Sequence, residues 1–92
     1  MHLYLVCFDI SDDRNRNRAG KQLLRHGQRV QESVFEILIK TPKEIQAIRE
    51  KLEPLIDNTD NLRFYHLCRQ CRHRSIDHEG DKIAQYPAAI II

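Results

Sequence analysis

The chain opens on a run of six apolar residues, Leu3 to Phe8, that stops at Asp9. Continuous rather than alternating hydrophobicity marks a strand covered on both faces, so this run predicts a central strand. The period then lengthens. Ser11 or Asp12 stands where a helix cap belongs, with further acid in the first turn. Beyond it, Ala19, Gly20, Leu23 and Leu24 share one helix face, while Arg14, Arg18, Lys21 and Arg25 fall on roughly the opposite one. Gly20 on the apolar face lets the helix approach the sheet closely. His26-Gly27, after a basic last turn, suits a left-handed helix cap.

Gln28 to Gln31 and Ser33 to Lys40 read as two strands, with a tight turn or a bulge near Glu32-Ser33. Thr41-Pro42-Lys43-Glu44 starts a second helix: Thr41 as cap, Pro42 in first position, Glu44 closing a capping box. Ile45, Ile48, Leu52, Leu55 and Ile56 form its apolar stripe, and Pro54 kinks or ends it. Asp57 to Asp60 is a loop, and Asn61 to Leu67 a fourth strand. The order is strand, helix, strand, strand, helix, strand. This predicts an α+β, ferredoxin-like βαββαβ fold with two helices on one face of an antiparallel sheet. Residues 68–81 are polar. Lys82 to Tyr86 reads as a short C-terminal extra strand, and Ala88 to Ile92 as an apolar tail. Residues 82–92 are predicted to pack on a partner subunit.

Composition narrows the picture without overturning it. The 92 residues, read as a single domain over 1–92, bury only a modest core, so a partner has something to add. With 41% apolar and 30% charged residues the chain reads as soluble and globular. No apolar run approaches the ~20 residues of a membrane span, and no signal peptide opens the chain. The expectation is a cytoplasmic protein with no membrane association. Three cysteines fit reduced thiols there better than a disulfide frame. The net charge of +2 says little about partners; its distribution says more.

Asp9 stands at the exit of a buried strand, on a stiff element near the surface, where a carboxylate can hold a cation. Magnesium suits such a site, because it takes oxygen ligands and keeps several waters. The alternative is an aspartate that caps the first helix or pairs with an arginine. Asp12 and Asp13 read more simply as capping acids. Arg14, Arg18, Lys21 and Arg25 can track a phosphate backbone, or they form a solvated face. Arg16 points toward the sheet by helical phase, near the Asp9 end, where it can hold Asp9 or a phosphate, or equally snorkel to solvent. Ser33 can donate near the site or serve the turn, and Phe35 belongs to the core or stacks on a base. Cys68-x-x-Cys71, with His66, His73 and His78 nearby, is half a zinc site, needing two histidines or a symmetry mate to complete it. Arg63, Arg69, Arg72 and Arg74 make a second basic cluster.

FDISDD at a strand end, an arginine-studded helix, then GQRVQESVFE, resembles the second of the CRISPR-associated protein families, Cas-two, over about Leu3 to Leu67. The resemblance implies a homodimer of ferredoxin-like subunits. It implies a magnesium-dependent endonuclease acting on RNA or double-stranded DNA, and a bridge beside the integrase subunit in CRISPR spacer acquisition. It assigns the metal and catalytic role to Asp9, with two copies facing each other across the dimer axis and sharing one Mg2+. Nucleic-acid contacts are expected at Arg14, Arg16, Arg18, Lys21, Arg25, Ser33 and Phe35. Two rival readings share the fold: a VapD-type toxin ribonuclease, and a scaffold that binds nucleic acid and cuts nothing.

Overall fold

The computed structural model describes residues 1–84. Strand β1 (His2–Asp9) is followed by helix α1 (Asp13–Leu24), strands β2 (Gly27–Gln31) and β3 (Val34–Ile39), helix α2 (Pro42–Leu52), strand β4 (Asn61–Leu67) and a short helix α3 (Arg69–Arg74). The four strands form one antiparallel sheet in the order β2-β3-β1-β4, the ferredoxin-like arrangement. β1 is central, bonded to β3 on one side and to β4 on the other; helices cover only the Val6 and Phe8 face, while on the opposite face Leu3 packs with Ala84 and Leu5 and Cys7 are half-buried. β2 is an edge strand, exposed along most of its length.

Strand alternation sends Val6 and Phe8 of β1, and Phe35, Ile37 and Ile39 of β3, toward the helices. There they pack with Ile10, Ala19 and Leu23, and with Ile48 and Leu52 of α2. Each large side chain fully buried here contributes roughly 1.5–3 kcal/mol. Leu24, expected on this face, is 49% exposed at the last position of α1.

Asp12 caps α1 by accepting from the Asn15 amide at 2.9 Å. Arg25 closes the helix in right-handed conformation, so the expected left-handed cap at Gly27 does not form. Gly27 is instead the first residue of β2. A β-carbon there would lie 1.9 Å from the Glu36 carbonyl oxygen, so close pairing with β3 is what requires glycine. Glu32 and Ser33 form the turn into β3, and the register slips between Arg29 and Gln31, so both the turn and a bulge are present. At α2, Thr41 occupies the cap position without a side-chain bond. The Glu44 carboxylate accepts from the Lys40 amide at 3.2 Å, one residue earlier than the capping box predicts. α2 gives way to a 3-10 turn at Glu53–Leu55, at Pro54 as expected.

α3 was not visible in the hydrophobic pattern, because none of its residues is buried. After it the chain turns back. Ile76 bridges Lys82, and Ala84, 5% exposed, packs with Leu3 on the sheet face opposite the helices. Of the predicted extra strand at Lys82 to Tyr86, the start is this isolated bridge; residues 85–92, with the tail Ala88 to Ile92, lie outside the described residues.

Candidate metal and nucleic-acid site

Asp9 is the last residue of β1 and sits opposite Asn61 of β4. Alternation puts Leu5, Cys7 and Asp9 on the face without helices, together with Val34 and Glu36 of β3 and Asn61, Arg63 and Tyr65 of β4. Asp9 is exposed, and among the described residues its carboxylate has no hydrogen-bond or ion-pair partner. The helix-capping alternative therefore falls to Asp12. Arg63 lies beside Asp9 on the same face, in an open depression lined also by Cys7, Phe8 and Asn61. It donates to Asn61 Oδ1 at 3.3 Å and to the Tyr65 hydroxyl at 3.2 Å, and the bond to Tyr65 raises the pKa of the guanidinium. A free carboxylate with a fixed cation next to it can hold a divalent metal and receive a phosphate.

The loop after Asp9 is tied down from a distance. The Ser11 amide and hydroxyl both donate to Asp60 Oδ1, at 3.1 and 3.0 Å, and the Asp57 amide donates to Oδ2 at 3.0 Å. The Asp57 amide, then that of Ser11, hold the Asp60 carboxyl below its ordinary range. Asp60 thus joins the exit of β1 to the entry of β4, which sets Asp9 against Asn61. Arg16 acts on the same loop. It donates to the Ile10 carbonyl at 3.3 Å and pairs with Asp13, so it does not hold Asp9 as expected.

Two further expectations change. Phe35 is fully buried, stacked on Phe8 at 5.8 Å with Arg29 5.0 Å from its ring, so a nucleic-acid base has no access to it. Ser33 belongs to the turn, where its carbonyl accepts from the Phe8 amide at 3.1 Å, next to Asp9 along the chain. Arg14, Arg18, Lys21 and Arg25 are exposed on α1. Arg18, Lys21 and Arg25 line a groove with Lys51 of α2, a contributor that sequence spacing within α1 does not reveal. This groove belongs to the helix layer, on the other side of the sheet from Asp9. The second basic cluster divides: Arg63 joins the Asp9 face, while Arg72 Nε donates to the Ala84 carbonyl at 3.1 Å.

Cys68 and Cys71 adjoin each other, but among the described residues no histidine joins them in a metal-sized group. His66 stacks on Tyr4 instead, at 4.8 Å. Asp77, Glu79 and Asp81 do lie within 4.8 Å of one another, but the Asp77 carboxylate already accepts from the Glu79 and Asp81 amides.

The family described as CRISPR associated protein Cas2 matches residues 1–75. The chain belongs to the CRISPR-associated Cas2 family. A Chloroflexus aurantiacus relative called CRISPR-associated endoribonuclease Cas2 1 is 45% identical over 73 residues, 77% of each chain. A Rhodospirillum rubrum relative, CRISPR-associated endoribonuclease Cas2 4, is 38% identical over 84% of this chain, which spans 62% of that relative's length. Among solved structures, the chain resembles one from a partial Cas6-RT-Cas1--Cas2 complex with a TM-score of 0.83 and 37% identity, covering 92% of this chain and 99% of the other. Streptococcus pyogenes Cas2 matches with a TM-score of 0.72 and 32% identity over 82% of this chain and 96% of its own. The Cas2 match includes β1 with Asp9, the basic helix and all four strands.

Proposed function

We propose that this Cas2 chain acts as a homodimer in CRISPR spacer acquisition, cleaving RNA or double-stranded DNA with magnesium at Asp9 and bridging copies of the integrase. The observation that carries the reading is the unpartnered Asp9 carboxylate on a sheet face that no helix covers. Leu5, Cys7, Val34 and Tyr65 on that face leave apolar surface for a second copy to bury. Two such faces meeting about a two-fold axis bring two Asp9 carboxylates to one place. The donor set fits magnesium, a hard cation that takes carboxylate oxygen and keeps its waters. When bound, the ion supplies a water of lowered pKa and polarises the scissile phosphate. Asp9 holds it, Asn61 and Asp60 keep Asp9 in place, and Arg63 offers its charge to the phosphate. The relatives called endoribonucleases support the cleavage, and the neighbour in the Cas1--Cas2 complex supports the integrase partner.

A second reading, the scaffold without chemistry, draws on the basic groove. A duplex held by Arg18, Lys21, Arg25 and Lys51 lies across the sheet from Asp9. Incubating the chain with RNA and with duplex DNA, in magnesium and in chelator, separates the two. Cleavage only with magnesium supports the nuclease; binding of both substrates with no cleavage in any condition replaces it with the scaffold.

The groove carries its own prediction. Phosphate contacts release counterions, so replacing Arg18 and Lys21 by alanine should flatten the slope of log affinity against log salt by up to about two units. An unchanged slope in a filter-binding or anisotropy titration assigns the α1 face to solvent.

A further inference from the structure

Cys68 and Cys71 sit at the far end of β4 from Asn61, outside both the Asp9 face and the basic groove. Both are exposed, and their sulfurs are 3.3 Å apart. A disulfide needs about 2.05 Å, so the two sulfurs have to close by a little over 1 Å. The two thiols are not equivalent. The Cys71 amide donates to the Cys68 sulfur at 3.4 Å. That bond, followed by the bond between the thiols, holds the Cys68 thiol below its ordinary range. The bond with Cys68, and then its charge, push the Cys71 thiol up. No acidic residue lies between Asn61 and Ile76, and the Arg74 charge opposes the rise at Cys71.

We propose that Cys68 and Cys71 form a redox-active dithiol whose substrate is a low-molecular-weight disulfide of the oxidised-glutathione class. The Cys68 thiolate attacks one sulfur of the small disulfide; its S–S bond breaks, and the leaving thiolate takes a proton. A mixed disulfide remains on Cys68. Cys71 loses its proton and attacks the Cys68 sulfur, which forms the Cys68–Cys71 bond and releases the second small thiol. The protein dithiol is oxidised by two electrons, and one disulfide is reduced to two thiols. The bond forms in the turn that anchors the returning C-terminal segment. The Ser75 hydroxyl donates to the Cys71 carbonyl at 2.7 Å, the Ile83 amide to the Ser75 carbonyl at 3.3 Å, and Arg72 to Ala84. Oxidation therefore locks the base on which residues 75–84 fold back to the sheet.

The test equilibrates the full chain with reduced and oxidised glutathione in the presence of a chelator, alkylates the remaining thiols and reads the intact mass. Wild type should lose two hydrogens, retain no glutathione and leave one thiol, Cys7, to alkylate. Cys71→Ser should accumulate one glutathione, on Cys68. Cys68→Ser should form no internal disulfide, and its Cys71, without the backbone amide bond that the Cys68 sulfur keeps in Cys71→Ser, should react more slowly than that Cys68 does. Wild type that keeps three alkylatable thiols under oxidising mixtures, or that stops at a mixed disulfide, overturns the proposal. Equal reaction rates in the two single variants overturn the assignment of attacking and resolving roles.

Discussion

Replacing Asp9 by asparagine is expected to lower cleavage by more than about 100-fold while nucleic-acid binding persists or tightens. Loss of a supporting group around a metal already costs roughly 10–100-fold, and here the ligand charge itself is removed. Asparagine keeps the shape and one ligand oxygen, so the loss isolates charge. In a symmetric dimer the substitution removes two negative charges from one site. The Asp9 carboxylate has no hydrogen-bond or ion-pair partner among the described residues, so the variant should melt with wild type. The basic groove lies on the other side of the sheet and is untouched, and repulsion of phosphate beside Arg63 falls. Single-turnover cleavage and equilibrium binding, measured on the same samples against magnesium concentration, check both halves. Cleavage as fast as wild type would remove Asp9 from the site.

The largest effect on folding is expected from Gly27→Ala. The new β-carbon would meet the backbone of β3: Glu36 O at 1.9 Å, Ile37 Cα at 2.6 Å and Glu36 C at 2.8 Å. Backbone cannot rotate away as a side chain can, so β2 must part from β3. A cost of about 3 kcal/mol or more follows, since overpacking a core where side chains can still adjust typically costs 1–3 kcal/mol and here fixed backbone must move. In a domain of this size that lowers Tm by on the order of 10–20 °C. Gly20→Ala is the control. Its β-carbon would meet only the flexible end of Arg29, at 2.8 Å, and Phe35 at an ordinary 3.5 Å. Arg29 can swing aside and the helix gains about 1 kcal/mol of propensity, so this variant should melt close to wild type or above it. Thermal melts of the two variants side by side decide the matter.

The two glycines also show how far the sequence could be read. Both were visible as interruptions of their patterns, but periodicity gave Gly20 the close approach and Gly27 the cap. The steric demand comes from Glu36, nine residues further along, and only the strand pairing brings it there. The βαββαβ order and the central place of β1 were legible because periods of two and 3.6 are local. The position of Asp9 followed from the same run. Arg16 was placed correctly by helical phase, yet its partners, Ile10 and Asp13, depend on how the loop closes. Lys51 joins the α1 groove, and Asp60 reaches Ser11, only through tertiary packing across many residues. α3 left no hydrophobic trace at all: RQCRHR has no apolar face, and its caps and carbonyls hold the chain without burial.

If two Asp9 carboxylates share one divalent ion, the metal stoichiometry must show it. Manganese, a paramagnetic stand-in for magnesium, is titrated into the full-length protein at a concentration where sedimentation gives the dimer, and free ion is read by electron paramagnetic resonance. One ion for every two chains is expected in wild type, displaced by magnesium and lost in Asp9→Asn. One ion per chain, or the same uptake in Asp9→Asn as in wild type, would contradict it.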